Sequence, residues 1–151
     1  GKFSRSIGVG GVKPDRSVWF RYDKSMAKRS IDIWGPADEI YRANSVLRDG
    51  KVVEASYELG DGTSYATAHV AAAAGMWLVH HRDTIDSLYQ LPWQRVEAFR
   101  SVLRSTSQPI KGAYWPDKKR GILNIEALLK AKLPAANKLR YEKHKAEDEI
   151  F

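Results

Sequence analysis

The sequence has no cysteine, two methionines and no long apolar run. The absence of cysteine excludes disulfides and thiolate-held metal sites, although it does not identify a compartment. A membrane-spanning helix needs roughly 20 mostly apolar residues, and no stretch of that kind is present, so we predict no membrane span. No signal peptide is visible, but residue 1 is glycine rather than methionine, so this absence says little about localisation.

The chain is basic, with a formal net charge of +7. Such a charge suits nucleic acid or an anionic membrane surface. The lysines and arginines are instead scattered from Lys2 to Lys145, without the alternation of basic and aromatic residues seen in nucleic-acid motifs. We interpret the charge as a basic, solvated surface and predict no nucleic-acid partner. Tight, salt-sensitive binding to duplex DNA would support the opposite interpretation.

The composition is that of a folded chain, because 43% of its 151 residues are hydrophobic. Residues 1–132 are predicted to form the domain and residues 133–151 a charged tail with few apolar anchors, either a solvated helix or a loose segment. The acidic residues show no paired or oxygen-rich cluster, so we predict no metal site and no cofactor.

Two short strands are predicted before residue 40. Ser6 to Val12 is apolar at Ile7, Val9 and Val12, and Ile31 to Trp34 alternates before a Gly-Pro breaker. The polar stretch from Asp15 to Lys28 between them is predicted to be a loop.

A hairpin and three helices are predicted after residue 40. Ile40–Leu47 and Lys51–Leu59 flank an Asp-Gly pair, which suits a tight turn. The Ala-rich stretch Ser64–His81 is predicted to be a buried helix, since its many small residues allow close approach. A second helix is predicted to begin at Pro92 and to end within Ser105 to Pro109. A third, shorter helix is predicted over Ile122–Lys132.

A serine lies where the hairpin gives way to the Ala-rich helix. A serine hydroxyl becomes a nucleophile when a base removes its proton, and the reaction needs donors for the oxyanion. A helix start offers unpaired N–H groups and positive potential. A nucleophilic site here would use Ser64 as nucleophile with its backbone N–H in the oxyanion hole, Thr63 as oxyanion support, and Gly62 as the point of substrate approach; it is the longer resemblance described next that predicts such a site. The same residues also suit an ordinary N-cap formed by Thr63 or Ser64.

Residues 62–71 read Gly-Thr-Ser-Tyr-Ala-Thr-Ala-His-Val-Ala. This resembles the nucleophile motif of the subtilisin-like serine peptidases, usually Gly-Thr-Ser-x-Ala-x-Pro-His-Val-Ala. Residues 6–12 resemble the family strand Val-Ile-x-Val-Gly-Ala-Val, and residues 31–40 resemble Val-Asp-Ile-x-Ala-Pro-Gly-x-x-Ile. Residues 102–109 and 121–127 resemble the closing helix and the Gly-x-Asn-x-x-x-Ala ending.

The resemblance runs from about Ser6 to Lys132 and has three departures. The family proline is Ala68 here, the family glycine of the Ala-Pro-Gly turn is Ala37, and Tyr65 stands where many members carry methionine. The resemblance implies an α/β fold, a mostly parallel sheet with helices on both faces. This chain would be its C-terminal portion, incomplete by itself.

In this family the orienting Asp, the base His and the oxyanion Asn precede the serine. Here all four histidines follow Ser64, and Asp32 and Asp61 belong to other motifs. The resemblance thus implies a serine endopeptidase that forms an acyl-enzyme at Ser64, whose Asp, His and Asn come from a separate or missing N-terminal segment. That segment and a protein or peptide substrate are the expected partners. The chain alone is expected to be inactive and, without the partner segment, unstable. Secretion is the family-based expectation.

The histidines after Ser64 are predicted to be structural. His69 lies about 500° around the helix from Ser64 at about 100° per residue, well off its face. Adjacent His80 and His81 are expected to diverge and bind no metal.

Two alternative functions remain open. One is a non-catalytic subtilisin-like binding module, against which the intact Gly-Thr-Ser argues. The other is a sedolisin-like serine-carboxyl peptidase, which shares Gly-Thr-Ser. His69-Val70 and the Gly35-Pro36 turn favour the subtilisin side.

Overall fold

The computed structural model describes residues 6–19, 31–110 and 120–140. The strands in these ranges are β1 (Val9–Val12), β2 (Ile33–Pro36), β3 (Ile40–Arg48) and β4 (Lys51–Gly60). The helices are α1 (Thr63–His80), α2 (Arg82–Leu88), α3 (Pro92–Ser105) and α4 (Ile125–Lys130), with a 3₁₀ turn at Ala136–Lys138. The mixture of helices and strands confirms the α/β class at this coarse level. The loop predicted from Asp15 to Lys28 is described only as far as Trp19, and its remaining residues lie outside the described ranges.

Strands β1 and β2 pair in parallel, in a register that runs from Val9–Ile33 to Val12–Pro36. Both strands were predicted, but β2 extends through Gly35 and Pro36 instead of ending before them. Proline is tolerated there because its nitrogen faces away from β1, and the next ladder bond to β1 comes from the Ala37 amide, which donates to the Val12 carbonyl. The backbone at Trp34 continues the sheet by pairing in parallel with Ile122, through bonds of 3.0 Å to the Gly121 carbonyl and 2.8 Å from the Leu123 amide.

Strands β3 and β4 form the predicted hairpin, with Arg48 opposite Lys51 and Ile40 opposite Gly60. The turn residues Asp49 and Gly50 both have positive φ, 50° and 74°. This is the geometry that matches the right-handed twist of paired strands, and Asp-Gly adopts it readily. Both strands lie within the described residues, and none of their residues is buried.

Helix α1 packs on the β1–β2 pair through one face, on which Ala66, Val70, Ala73 and Trp77 are buried. A β-carbon built on Gly35 would lie 3.2 Å from that of Ala66, so the helix crosses β2 at close range. The prediction of a buried helix is therefore right for this face and wrong for the rest. Apolar side chains on the remaining surface are exposed within the described chain.

Helix α3 confirms the helix predicted from Pro92, and its Phe99, Val102 and Leu103 enter the main core. Helix α2, which precedes it, was not predicted. Helix α4 begins at Ile125 rather than Ile122, because Ile122 is used in the sheet and its amide bonds the Gln108 carbonyl at 2.7 Å. Asn124 then caps α4 by accepting a bond of 3.1 Å from the Ala127 amide.

Residues 133–140 are anchored to the main core. Leu133, Ala136 and Leu139 pack against it, and the Tyr89 hydroxyl donates to the Pro134 carbonyl at 2.7 Å. The expected lack of apolar anchors is wrong for this part of the tail. Residues 141–151 lie outside the described ranges, and the boundary at 132 stays a prediction. In the described part of the chain, none of the helices has the length and apolar character needed to cross a membrane.

Candidate active site

Ser64 lies at the carboxyl ends of the parallel strands β1 and β2. The Ala37 amide, just past β2, bonds the Val12 carbonyl at 3.0 Å, and the Ala37 carbonyl accepts from the Gly62 amide at 2.7 Å. These two bonds tie the start of α1 to the ends of both strands. In open α/β sheets this edge is where ligands bind, because helix starts and strand ends converge there.

The first turn of α1 is open. Gly62 is the N-cap residue, no described side chain caps the helix, and no acidic residue lies in the first turn. Ser64 is exposed at the second helical position. The N–H groups of a helix start lack intrahelical partners and carry positive potential. The N-cap alternative for Thr63 or Ser64 is therefore wrong, since both residues lie inside the helix.

Gly62 has a backbone conformation that an L-residue rarely adopts, with φ 154° and ψ 147°. A β-carbon built on it would lie 3.4 Å from the Ser64 Oγ. The glycine therefore both permits the turn into α1 and leaves the space beside the Ser64 hydroxyl free. This agrees with its predicted role as the point of substrate approach, which stays a prediction.

The residues beside Ser64 fix the turn from two sides. The methyl group of Thr63 faces β1, since its Cγ2 would lie 3.4 Å from a β-carbon on Gly11. The ring of Tyr65 covers Gly60, where a β-carbon would lie 3.0 Å from the Tyr65 Cζ. Thr63 thus supports the turn by packing, and its carbonyl accepts a bond of 2.9 Å from the Thr67 hydroxyl.

His69 uses its ring within the helix. Its Nδ1 lies 2.8 Å from the Tyr65 carbonyl. A carbonyl only accepts, so Nδ1 carries the proton and donates it. This bond to the preceding turn supports the structural role predicted for His69.

His80 and His81 lie at the other end of α1, roughly 24 Å from Ser64 at about 1.5 Å per residue. Their rings approach to 4.7 Å between centroids, edge to face. The expectation that they diverge is wrong, because His81 leaves the helix with φ −106° and ψ 15°. Burial, followed by the neighbouring His80, lowers the pKa of His81, while the Leu129 backbone raises it. No group of three or more potential metal ligands occurs among the described residues.

A buried ionic network occupies the amino ends of β1 and β2. Asp32 and Arg100 are 7% and 4% exposed. Asp32 accepts from the Gly8 amide at 2.8 Å and pairs with Arg104, and the Arg100 Nε lies 3.7 Å away. Arg100 also pairs with Glu97 and donates to the Ser6 carbonyl at 2.9 Å. Asp32 thus has a structural role, and it lies at the end of the strand pair opposite Ser64.

None of the described histidines is placed to take the proton of Ser64. His69 is rotated away and bonded to Tyr65, and His80 and His81 are a helix length distant; His144 lies outside the described residues. Ser64, Thr63 and Gly62 are therefore brought together without a base.

Sequence reasoning missed two features near the strands. The network of Asp32 with Arg100 and Arg104 was signalled by a carboxylate within the apolar run Ile-Asp-Ile and by arginines four residues apart on one helix. The Trp34 ring lies against Gly10, and only glycine leaves room for it there. Local sequence patterns do not show that Asp32 pairs with the two arginines or that Trp34 packs on Gly10.

No protein-family model matches the chain, and no curated protein matches it. The function of this chain is therefore inferred from the motif at residues 62–71 and from the geometry around Ser64.

Proposed function

We propose that this chain is the C-terminal part of a subtilisin-like serine endopeptidase and that Ser64 is its nucleophile. The proposal extends the α/β class to the subtilisin-like arrangement, in which an upstream segment completes the sheet and the catalytic groups. Its support is the motif at residues 62–71 together with the position of Ser64 in the fold.

The observation that carries the proposal is the exposed Ser64 on an uncapped helix start at the carboxyl edge of two parallel strands. A serine that only capped the helix would lie at the N-cap, with its oxygen bound to a backbone N–H of the first turn. Ser64 instead is the second residue of the helix, and its exposed hydroxyl lies beside Gly62. An exposed hydroxyl beside the N–H groups of a helix start supports the proposal, because acyl transfer needs both a nucleophile and oxyanion donors.

In the proposed reaction, the Ser64 Oγ attacks the carbonyl carbon of the scissile peptide bond, and an imidazole from the upstream segment takes its proton. The Ser64 N–H donates to the oxyanion of the tetrahedral intermediate, in the positive potential of the helix start. Collapse breaks the C–N bond, and the imidazole returns the proton to the leaving amine. Water then releases the acyl group by the same route, which restores the Ser64 hydroxyl.

The surface of α1 indicates where the upstream segment binds. Beyond Ser64 the exposed part of the helix is almost wholly apolar, at Ala68, Ala71, Ala72, Gly75, Met76, Leu78 and Val79. Gly75 has open space around it, so no described residue explains a glycine in mid-helix. A segment packed on this face would extend from the nucleophile along the helix. It would bury the apolar surface and bring a base to Ser64.

Peptide hydrolysis tests the proposal. The chain is combined with the upstream segment of its own protein and incubated with a mixed peptide library, and cleavage products are identified by mass spectrometry. We expect cleavage that disappears in Ser64→Ala and persists in the matched variant Ser101→Ala, on the exposed surface of α3. Cleavage that persists in Ser64→Ala would overturn the nucleophile assignment. A folded complex without cleavage would favour the non-catalytic binding module.

A further inference from the structure

The β3–β4 hairpin has two chemically different faces. Residues opposite each other in an antiparallel pair share a face, and faces alternate along each strand. One face is polar, and on it Arg42 pairs with Glu58, which also accepts from the Asn44 amide at 3.1 Å. The opposite face, here called the apolar hairpin face, consists of Tyr41, Ala43, Ser45, Leu47, Val52, Ala55, Tyr57 and Leu59.

The apolar hairpin face is exposed within the described chain. Tyr41 and Tyr57 are 78% and 81% exposed, and Leu47, Val52 and Leu59 are each more than half exposed. An isolated two-stranded hairpin is only marginally stable in water unless another layer covers its hydrophobic side. The polar face has its own ion pair, so the apolar face is the one that no described residue covers.

We infer that the apolar hairpin face binds a second copy of this chain, with the two hairpins stacked face to face and running in opposite directions. A two-fold axis through the middle of the hairpin would place the tip of each copy over the base of the other. This inference does not depend on the proposed peptidase activity.

Charge complementarity supports this occupant. The base of the hairpin is flanked by Asp38, Glu39 and Asp61, whereas at the tip Arg48 and Lys51 outweigh Asp49. In an antiparallel stack the basic tip of one copy meets the acidic base of the other, twice. A parallel stack would oppose like charges. Across residues 40–60 three basic and three acidic side chains balance, so the net charge of +7 on the whole chain does not concentrate at this surface.

The available area also suits a pair of copies. The exposed parts of the two tyrosines and the three aliphatic side chains amount to roughly 500 Å² of apolar surface per copy. A pair would bury about 1,000 Å², which reaches the lower limit for a specific interface. We therefore expect a dimer with a Kd in the micromolar range (order of magnitude) rather than a permanent one.

Sedimentation equilibrium tests the inference on the chain bound to its proposed upstream segment, or on the chain alone where circular dichroism shows that it folds by itself. We expect a reversible monomer–dimer equilibrium that Tyr57→Thr weakens at least about 30-fold, because a central aromatic anchor is lost while strand propensity is kept. Leu88→Ala removes exposed apolar surface from α2 instead and should leave the equilibrium unchanged. A chain that is monomeric at all concentrations, or a dimer indifferent to Tyr57→Thr, would overturn the inference.

Cross-linking tests the arrangement without disturbing the fold, since the chain has no cysteine of its own. Ala55→Cys lies on the apolar hairpin face near the proposed two-fold axis, so two copies should form a disulfide on mild oxidation. Ser56→Cys, the next residue along on the polar face, is the matched control and should not. Equal cross-linking of both variants would contradict the face-to-face arrangement.

Charge reversal tests the antiparallel direction. Lys51→Glu should weaken the dimer by about 3- to 10-fold through repulsion at the acidic base. Mixing it with Asp38→Lys should restore association, because the new charges complement one another across the interface. No restoration would overturn the antiparallel direction. If Tyr57→Thr weakens binding of the upstream segment to a monomeric chain, that segment occupies the face and the second copy does not.

Discussion

At the amino ends of β1 and β2, Asp32 and Arg100 are buried and paired, whereas at the carboxyl ends Ser64 stands exposed on an uncapped helix. The same two strands connect both regions. Every charged group named at the amino end has a partner, and the carboxyl end presents N–H groups and a hydroxyl to open space. The difference indicates that the amino end maintains the fold and that the carboxyl end is available for chemistry.

The largest effect on stability is expected at the amino end. Asp32→Ala would leave Arg100 and Arg104 without their shared carboxylate and the Gly8 amide without its acceptor. We expect a loss of about 3–5 kcal/mol in the free energy of unfolding, because breaking a buried ion pair strands the remaining charge. Urea denaturation measures it. Glu126→Ala, which breaks an exposed pair with Lys130, should cost less than about 0.5 kcal/mol.

Gly62→Ala tests the region around Ser64 at the carboxyl ends of β1 and β2. The φ of 154° disfavours a side chain, so we expect a cost of about 1–3 kcal/mol in stability. The added methyl would also lie 3.4 Å from the Ser64 Oγ, and displacement of the reacting groups should lower kcat/KM about 100-fold. The two readouts are denaturation and the proposed peptide hydrolysis by the chain combined with its proposed upstream segment. Unchanged hydrolysis would remove Gly62 from the site.

A smaller effect is expected where the tail meets the core. Tyr89→Phe removes the bond of 2.7 Å to the Pro134 carbonyl while keeping the ring in place. The expected loss is about 1 kcal/mol, the usual net contribution of one hydrogen bond. Thermal denaturation beside Tyr65→Phe, which removes only the hydroxyl from the ring that covers Gly60, provides the comparison. A Tyr89→Phe chain as stable as wild type would show that residues 133–140 are held by packing alone.

The smallest effect concerns pH at the far end of α1. Burial and His80 lower the pKa of His81 in the folded state, and the Nε2 of His81 is buried without a hydrogen-bond partner among the described residues. The unfolded state therefore binds a proton more readily. Stability should be full above about pH 6.5 and decline as the pH falls through and below this unfolded-state pKa. His81→Gln should flatten that decline in melts between pH 7.5 and 5. An identical pH dependence in both chains would contradict this assignment.

The elements that the sequence predicted well are determined by local chemistry. The hairpin follows from Asp49-Gly50, whose positive φ values the residue types favour, and α3 follows from Pro92 and helical apolar spacing. The start of α4 was misplaced because Ile122 bonds to Gln108, a contact distant in sequence. The anchoring of residues 133–140 was missed for the same reason.

In the candidate site, too, the features set by local sequence were predictable and those set by distant contacts were not. The position of Ser64 at a helix start was predictable from the glycines and the Ala-rich run that follow one another in sequence. Whether Ser64 or Gly62 is the N-cap residue depends on the backbone conformation at Gly62, which composition does not determine. The partners of Asp32 lie on α3, far along the chain, and only the folded structure brings them together.

Fluorophosphonate labelling of the chain combined with the proposed upstream segment, with the modified residue located by mass spectrometry, tests the central claim most directly. Such probes form a covalent bond only with an activated serine hydroxyl. We predict modification at Ser64 alone, absent in Ser64→Ala and present in Asp32→Asn to the extent that this variant remains folded. Modification of another serine, or none in a folded complex of the chain with its upstream segment, would contradict the assignment of Ser64 as the nucleophile.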